Sequence, residues 1–239
     1  MVGLVSDRGL KRGLNEDYAL YYECGDFKIY VVADGMGGHN AGEVASKMAA
    51  ERIIDYVKIN FSKTDESELI ATAIEEVNKE IFNFSMTSDN LNGMGTTVTA
   101  CLITKDNVYV ANVGDSSCMG IKNGVIKKIT KDHSLVQELI DSGTISESEA
   151  VNHPKKNIIT RALGTSALVS VDVFNLKHND YELLLLCSDG LTNEVAKEEI
   201  LEIINSKSSY EDMANELVDR AKEKGGRDNI TVLLFGGEM

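Results

Sequence analysis

The chain has 239 residues, 43% of them apolar, and a formal net charge of −14, which suits one large domain with a buried core better than two. So acidic a surface excludes a general binder of nucleic acid or anionic lipid, because such binding needs basic groups that displace counterions. With no run of about 18 apolar residues and no basic-then-apolar leader, neither a membrane span nor export is expected, and a cytoplasmic protein is.

In chain order, the stretch SDRGLKRGLNEDY (6–18) sets Arg12 beside Glu16 and Asp17. An arginine fork can grip two phosphate oxygens, and the two carboxylates could hold metal-bound waters. Residues 27–33 read as a strand, and Ala41, Val44, Ala45, Met48, Ala49 and Ile53 then fall at helical spacing. A second helix is announced by a capping box at Asp65 and Glu68 and carries Leu69, Ile70, Ala73, Ile74, Val77 and Ile81 on one face. Strands over 97–103, 107–113, 117–122 and 125–129, split by short turns such as KDN and KNG, predict an antiparallel meander. From 134 to 161 the chain turns polar, with a helix at 135–141, a capping box at Ser146 and Glu149, and the lone proline, Pro154, as in a surface flap. Strands around 168–176 and at 182–187, helices at 197–205 and 210–224, and a closing strand at 230–235 follow. Cys24, Cys101, Cys118 and Cys187 form no CxxC pair and read as reduced, mostly buried thiols. Hairpins with helices grouped beside them predict an α+β layered domain and not a doubly wound sheet.

The glycine-rich turn VVADGMGGHNAGE (31–43) lies between strand and helix, as a dinucleotide loop would, but the third glycine of that pattern is replaced by Asn40. No Gly-Lys-Ser/Thr follows, which excludes a P-loop, and Met36 and Gly38 stand where an EF-hand needs oxygen ligands. A recurring design fits better. VVADG, VANVGDS and LLLLCSDG end strands at Asp34, Asp115 and Asp189, while Asp228 in GGRDNITVLLF precedes one. Strand termini of a packed domain converge at an edge, where clustered carboxylates repel unless cations or protons offset them. Oxygen donors favour hard ions, Mg²⁺ or Mn²⁺, over zinc. Two ions about 4 Å apart would turn a shared water into a hydroxide-like nucleophile and orient a phosphate, which is hydrolase chemistry.

The ordered motifs SDRGLKRGLNED, VVADGMGGHNAGEVAS, GMGTTVTA, VYVANVGDSS, the stretch 129–164, LLLLCSDGL and GGRDNITVLL resemble the metal-dependent Ser/Thr protein phosphatases of the PPM (type 2C) family, especially its compact bacterial members. The likeness implies a single domain over 1–239 with a flap at about 141–161, built as a central antiparallel β-sandwich flanked by helices on both sides. It also implies a dinuclear Mn²⁺ or Mg²⁺ centre bridged by Asp34, with the Gly35 carbonyl on one ion and Asp189 and Asp228 on the other. Asp115 with Asp189 matches the site of a third ion, Arg12 the phosphate-binding arginine, and Glu16 and Asp17 residues that act through water. Asn229 would orient the loop of Asp228. Met36 stands where eukaryotic relatives carry a histidine proposed as the leaving-group acid, so that His39, nearby in sequence, or a metal-bound water is the candidate acid. Ser117 stands where the family often has arginine. The implied activity is hydrolysis of phosphoserine and phosphothreonine in proteins by a metal-bridging hydroxide, opposing a Ser/Thr kinase, in a monomer without nucleic-acid or membrane partners. A catalytically silent binding scaffold and a phosphatase for small phosphoesters are the competing readings. His133 and His153 are expected to pack or cap.

Overall fold

The computed structural model describes residues 1–36, 41–150 and 153–236. Eleven strands and seven α-helices occur among them. One antiparallel sheet runs β1 (Val2–Asp7), β11 (Ile230–Gly236), β10 (Leu183–Cys187), β7 (Ser117–Lys122), β8 (Val125–Lys128) in spatial order. The other runs β2 (Asp17–Glu23), β3 (Phe27–Met36), β5 (Val98–Thr104), β6 (Asn107–Val113), β9 (Asp172–Lys177), and the two-residue β4 (Gly95–Thr96) pairs with the end of β3.

The central strands β3, β5, β10 and β11 carry long apolar runs because both of their faces are covered. In β3, Ile29, Val31 and Ala33 face a cluster built with α1 (Gly42–Asn60) and α2 (Glu66–Ser85), while Tyr30 and Val32 face the opposite sheet. In β11, Val232 and Leu234 face α6 (Lys197–Ser206) and α7 (Tyr210–Glu223), and Leu233 and Phe235 face inward. The period-two alternation of strand side chains thus produces three apolar layers from two sheets, an α-β-β-α sandwich. At its centre the rings of Tyr30 and Phe235 stack in parallel, 3.6 Å between centroids. Cys101 and Cys118 are buried in the same middle layer, and Cys187 is buried on the α6/α7 side.

Local signals behave as their chemistry demands. Asp65 caps α2 by accepting from the Ser67 N–H and hydroxyl. Asn123 and Gly124, both at positive φ, make the tight β7–β8 turn that the KNG triplet predicted. The helix expected at 135–141 is α3 (Leu135–Asp141), and Ser146 and Glu149 exchange the expected capping bonds at α4 (Glu147–Ala150).

The predicted meander is corrected. β5–β6 is a hairpin of one sheet and β7–β8 of the other, and residues 114–116 carry the chain between them. Strand spacing cannot tell a turn within a sheet from a crossing between two, since both need only a short break; Gly114, at φ +112°, makes this one possible. Residues 168–171 are not strand, and β1, β2 and the short α5 (Asp189–Thr192) had no separate expectation. Among the described residues no helix is long and apolar enough to cross a membrane.

The Tyr30–Phe235 stack joins the sheets, so Phe235→Ala should cost about 3–5 kcal/mol of unfolding free energy in urea denaturation. A loss under about 1 kcal/mol would show that the sheets are joined elsewhere.

Candidate metal centre

Both sheets end together where the acidic motifs lie. Asp17 and Asp34 face each other across β2 and β3, Asp115 sits in the crossing from β6 to β7, Asp189 follows β10 as the first residue of α5, and Asp228 precedes β11. Asp34, Asp115, Asp189, Asp228, Arg12 and Gly35 line one cleft of about 240 Å³. The residues singled out from the sequence are therefore brought together, except His39, which lies outside the described residues.

Backbone bonds fix the cleft. The Asp34 N–H donates to Thr97 Oγ1 (3.1 Å), and its carbonyl accepts from the Thr97 N–H (2.9 Å) and Thr96 Oγ1 (3.0 Å). Thr97 Oγ1 also lies 2.8 Å from Ser116 Oγ, tying the strand of Asp34 to the turn of Asp115. Gly35 donates its N–H to the Glu16 carbonyl (3.1 Å), and a Cβ on it would stand 2.3 Å from the Gly42 carbonyl oxygen. Only glycine fits there. A Cβ on Gly190 would similarly lie 1.9 Å from the Asn229 carbonyl oxygen, so the loops of Asp189 and Asp228 pack backbone to backbone. Asn229 fastens the N-terminal loop: its Oδ1 accepts from the Glu16 N–H and its Nδ2 donates to the carbonyls of Arg8 and Leu14, each at 2.9 Å. Asp17 is buried and accepts the Ser188 hydroxyl at 2.7 Å, joining one sheet to the other beneath the cleft.

The carboxylates strain against one another. Burial, reinforced by repulsion from Asp17, Asp189, Asp115 and Asp228, raises the pKa of Asp34 well above the ordinary range. Burial lifts Asp17 to about 7, against the pull of its Ser188 and Thr231 hydrogen bonds. It lifts Asp115 to about 7, with Asp189 and Asp132 adding repulsion, and Asp189 to about 6, with Asp228 adding. Glu16 is raised by burial and then by Glu43. Arg12 answers these charges at close range, its Nη2 donating to Asp228 Oδ2 at 2.7 Å, and that bond raises the arginine's own pKa.

These residues fit a hard divalent cation. Among the described residues every titratable side chain of the cleft that could ligate a metal is a carboxylate, and Asp17 Oδ1 and Asp115 Oδ1 are buried with no hydrogen-bond partner. The nearby Cys187 is a thiol, pushed up to about 12 by burial, and offers no thiolate to zinc. Among the described residues no three acidic, histidine or cysteine side chains converge closely enough to enclose an ion as they stand. Each is tethered separately: Asp228 by Arg12, Asp189 Oδ2 by Asn193 Nδ2 (2.8 Å) and Asp17 by Ser188.

Sequence reasoning missed the tethers. Thr97, Ser116 and Ser188 stand inside the motifs GTTVTA, GDSS and CSDG, but hydroxyls beside aspartates read as turn residues until their partners are known. Met36 lines the cleft, so the position after Gly35 presents no ionisable group. Ser117 Oγ is buried without a partner among the described residues. His133 is buried and accepts the Gly114 N–H at Nδ1 (3.0 Å), and His153 Nδ1 accepts the Lys155 N–H, the packing and capping roles expected of them.

The protein phosphatase 2C family model matches residues 10–234. The serine/threonine phosphatase stp of Listeria monocytogenes serotype 4b is 46% identical over 238 residues, 98% of this chain and 94% of that protein. The crystal structure of the serine/threonine phosphatase Stp1 from Staphylococcus aureus superposes with a TM-score of 0.88 at 35% identity, covering 98% of this chain and 94% of the other. The catalytic domain of the serine threonine protein phosphatase PstP, solved in complex with two manganese ions, superposes with a TM-score of 0.81 at 33% identity over 98% and 96% of the two chains.

The raised carboxyls carry a pH signature. Each binds its proton more tightly in the folded chain than in the unfolded one, so stability falls as pH rises from the ordinary carboxylate range through about 7. His133, whose pKa burial lowers, works in the opposite sense only below about pH 6.5. In chelator the thermal midpoint should therefore drop between pH 6.5 and 8, and Mn²⁺ should restore more of it at pH 8. A chelated protein equally stable at both values would contradict the mutual strain of the cluster.

Proposed function

This chain belongs to the protein phosphatase 2C family and is a metal-dependent protein serine/threonine phosphatase, and from that premise we propose how its own residues divide the work. The observation that carries the proposal is the meeting of Asp34, Asp115, Asp189 and Asp228 with Arg12 in one cleft, above buried carboxylate oxygens that have no hydrogen-bond partner among the described residues. Asp34, the Gly35 carbonyl, Asp189 and Asp228 hold a pair of Mn²⁺ or Mg²⁺ ions, and Asp115 with Asp189 takes a third. When bound, the ions supply Lewis acidity that sharpens water against phosphorus and neutralises the phosphate.

The chain does the rest. Arg12 presents its fork to two phosphate oxygens, and the Asp228 contact sets that fork at the rim of the cleft before substrate arrives. Gly35 lets the backbones of Glu16 and Gly42 close against the end of β3, where a Cβ would stand 2.3 Å from the Gly42 carbonyl oxygen and 2.5 Å from that of Glu16. Asp17 is a positioning residue, holding β2 to the start of α5 through Ser188, and Glu16 supports the same edge through its backbone contacts with Gly35 and Asn229. Asn229 keeps the Arg12 loop docked against the loop of Asp228. Since Met36 has no proton to give, the acid for the leaving serine or threonine oxygen is His39, which lies outside the described residues, or a metal-bound water.

Phosphoproteins are the substrates of a protein phosphatase, and a Ser/Thr kinase with its targets is the partner proposed here. The working unit is a monomeric single domain over 1–239, with its flap at 141–161, acting in the cytoplasm. A silent scaffold has no use for this cluster, because gathering carboxylates without cations destabilises the fold. Small phosphoesters remain a specific comparison for the assay, since the metal chemistry does not select the departing alcohol.

Purified protein should release phosphate from a phosphothreonine peptide in Mn²⁺ and stop in excess chelator, with p-nitrophenyl phosphate as the small ester measured alongside. Undiminished turnover in chelator would overturn the metal role, and a much higher kcat/KM for the small ester would overturn the protein substrate. Asp34→Asn should lower kcat by about a thousandfold or more while the chain stays folded in metal-free buffer, and near-normal rates would remove Asp34 from the centre. Arg12→Ala should raise KM by about tenfold with a smaller effect on kcat, and an unchanged KM would place phosphate binding elsewhere.

A further inference from the structure

A second, smaller cavity of about 80 Å³ adjoins the catalytic cleft, sharing Asp228 and Asn157 with it. Two cations line it, Lys156 and Arg227, in a chain where 38 acidic residues outnumber 24 lysines and arginines. Arg227 is set in place from behind. Glu194, whose side chain is only 5% exposed, takes its Nε at 3.4 Å and its backbone N–H at 3.4 Å, while the arginine side chain is 72% exposed. This pairing at Nε leaves the two Nη groups, the fork that matches phosphate, without a partner among the described residues. Gly225, at φ +150°, leaves the room this needs, since a Cβ there would lie 3.1 Å from both Arg227 Nε and Glu194 Oε1. Lys156 is half-buried in the lining of the same cavity, and its ammonium has no partner among the described residues. The two carboxylates in the wall are already engaged, Glu194 by Arg227 and Asp228 by Arg12.

A buried carboxylate that orients an exposed guanidinium next to an uncommitted ammonium makes a receptor for an anion. We propose that Lys156 and Arg227 form a second anion subsite, which reads a negatively charged group on a residue neighbouring the phosphoserine or phosphothreonine being hydrolysed. The subsite rests on the phosphoprotein reading above and deepens it into a substrate class: segments carrying a second phosphate, or an aspartate or glutamate, beside the target. Its place follows from the shared wall. With the target phosphate at Arg12, an extended chain advancing about 3.3 Å per residue leaves the cleft past Asp228 and Asn157 into the smaller cavity. Nothing in the step at phosphorus changes; the subsite contributes affinity and register.

The test compares kcat/KM of the Mn²⁺-loaded full chain on a singly phosphorylated threonine peptide and on two series built from it. One series carries a phosphoserine that resists turnover, as its phosphonate analogue, at each neighbouring position in turn, and the other carries glutamate there. At one or two positions the phosphonate peptide should be preferred by about five- to tenfold, chiefly through KM, with the glutamate peptide between it and the parent. Lys156→Gln with Arg227→Gln should abolish that preference and leave the parent peptide's turnover within about twofold, and raising NaCl should shrink the preference of the unmutated protein. If glutamate performs as well as the phosphonate, the subsite stands as a carboxylate reader; a phosphonate-only preference makes it a phosphate reader. No preference at any position, or one that survives the double substitution or high salt undiminished, overturns the proposal. Failure of the parent peptide to turn over at all would instead overturn the phosphatase reading, so the two are told apart.

Discussion

Like charges held close together dominate this molecule. Asp17, Asp34, Asp115, Asp189 and Asp228 are gathered at the common end of two sheets, where burial and mutual repulsion favour the protonated forms of the first four. Such a cluster opposes folding unless something offsets the charge. Among the described residues the offset comes from Arg12 on Asp228, from Lys128 acting on Asp115, and from a few neutral donors, Ser188 and Asn193 among them. Divalent cations held there would complete the offset, which ties the family's dependence on metal to the shape of the cleft through one electrostatic requirement.

The sandwich makes that requirement possible to meet. Three apolar layers, with the Tyr30–Phe235 stack at the centre, hold the sheets rigidly enough that residues far apart in sequence are carried to one edge. At that edge the backbone, not long side chains, sets the spacing. Gly35 and Gly190 let neighbouring chains approach to distances that no Cβ would allow, and Thr97 with Ser116 links the strand of Asp34 to the turn of Asp115. Rigid support of this kind keeps repelling groups from relaxing apart.

Around the mouth, charge is arranged differently. The chain is strongly acidic overall, yet cations face the groove on both sides of Asp228, Arg12 on one and Lys156 with Arg227 on the other. Buried Glu194 holds Arg227 at Nε, Asp228 holds Arg12, and the Lys156 ammonium has no partner among the described residues. An acidic body with basic contacts confined to its cleft disfavours indiscriminate association with polyanions while still receiving a phosphorylated segment.

Much of this was legible in the residues. The strand at 107–113, the helix at 135–141 and the aspartates in ADG, GDS, SDG and GRDN were readable because hydrophobic period, caps and turn chemistry are local properties. The sandwich and the family also followed from motifs in order. What the sequence could not decide was pairing: that the chain crosses between sheets at 114–116, that Ser188 holds Asp17, that Asn229 pins the Arg12 loop, or that Glu194 aims Arg227. These contacts join residues up to 221 positions apart. A hydroxyl or amide looks the same in sequence whether it meets water or a buried carboxylate, and only the packed tertiary structure, by excluding water and fixing neighbours, chooses between them.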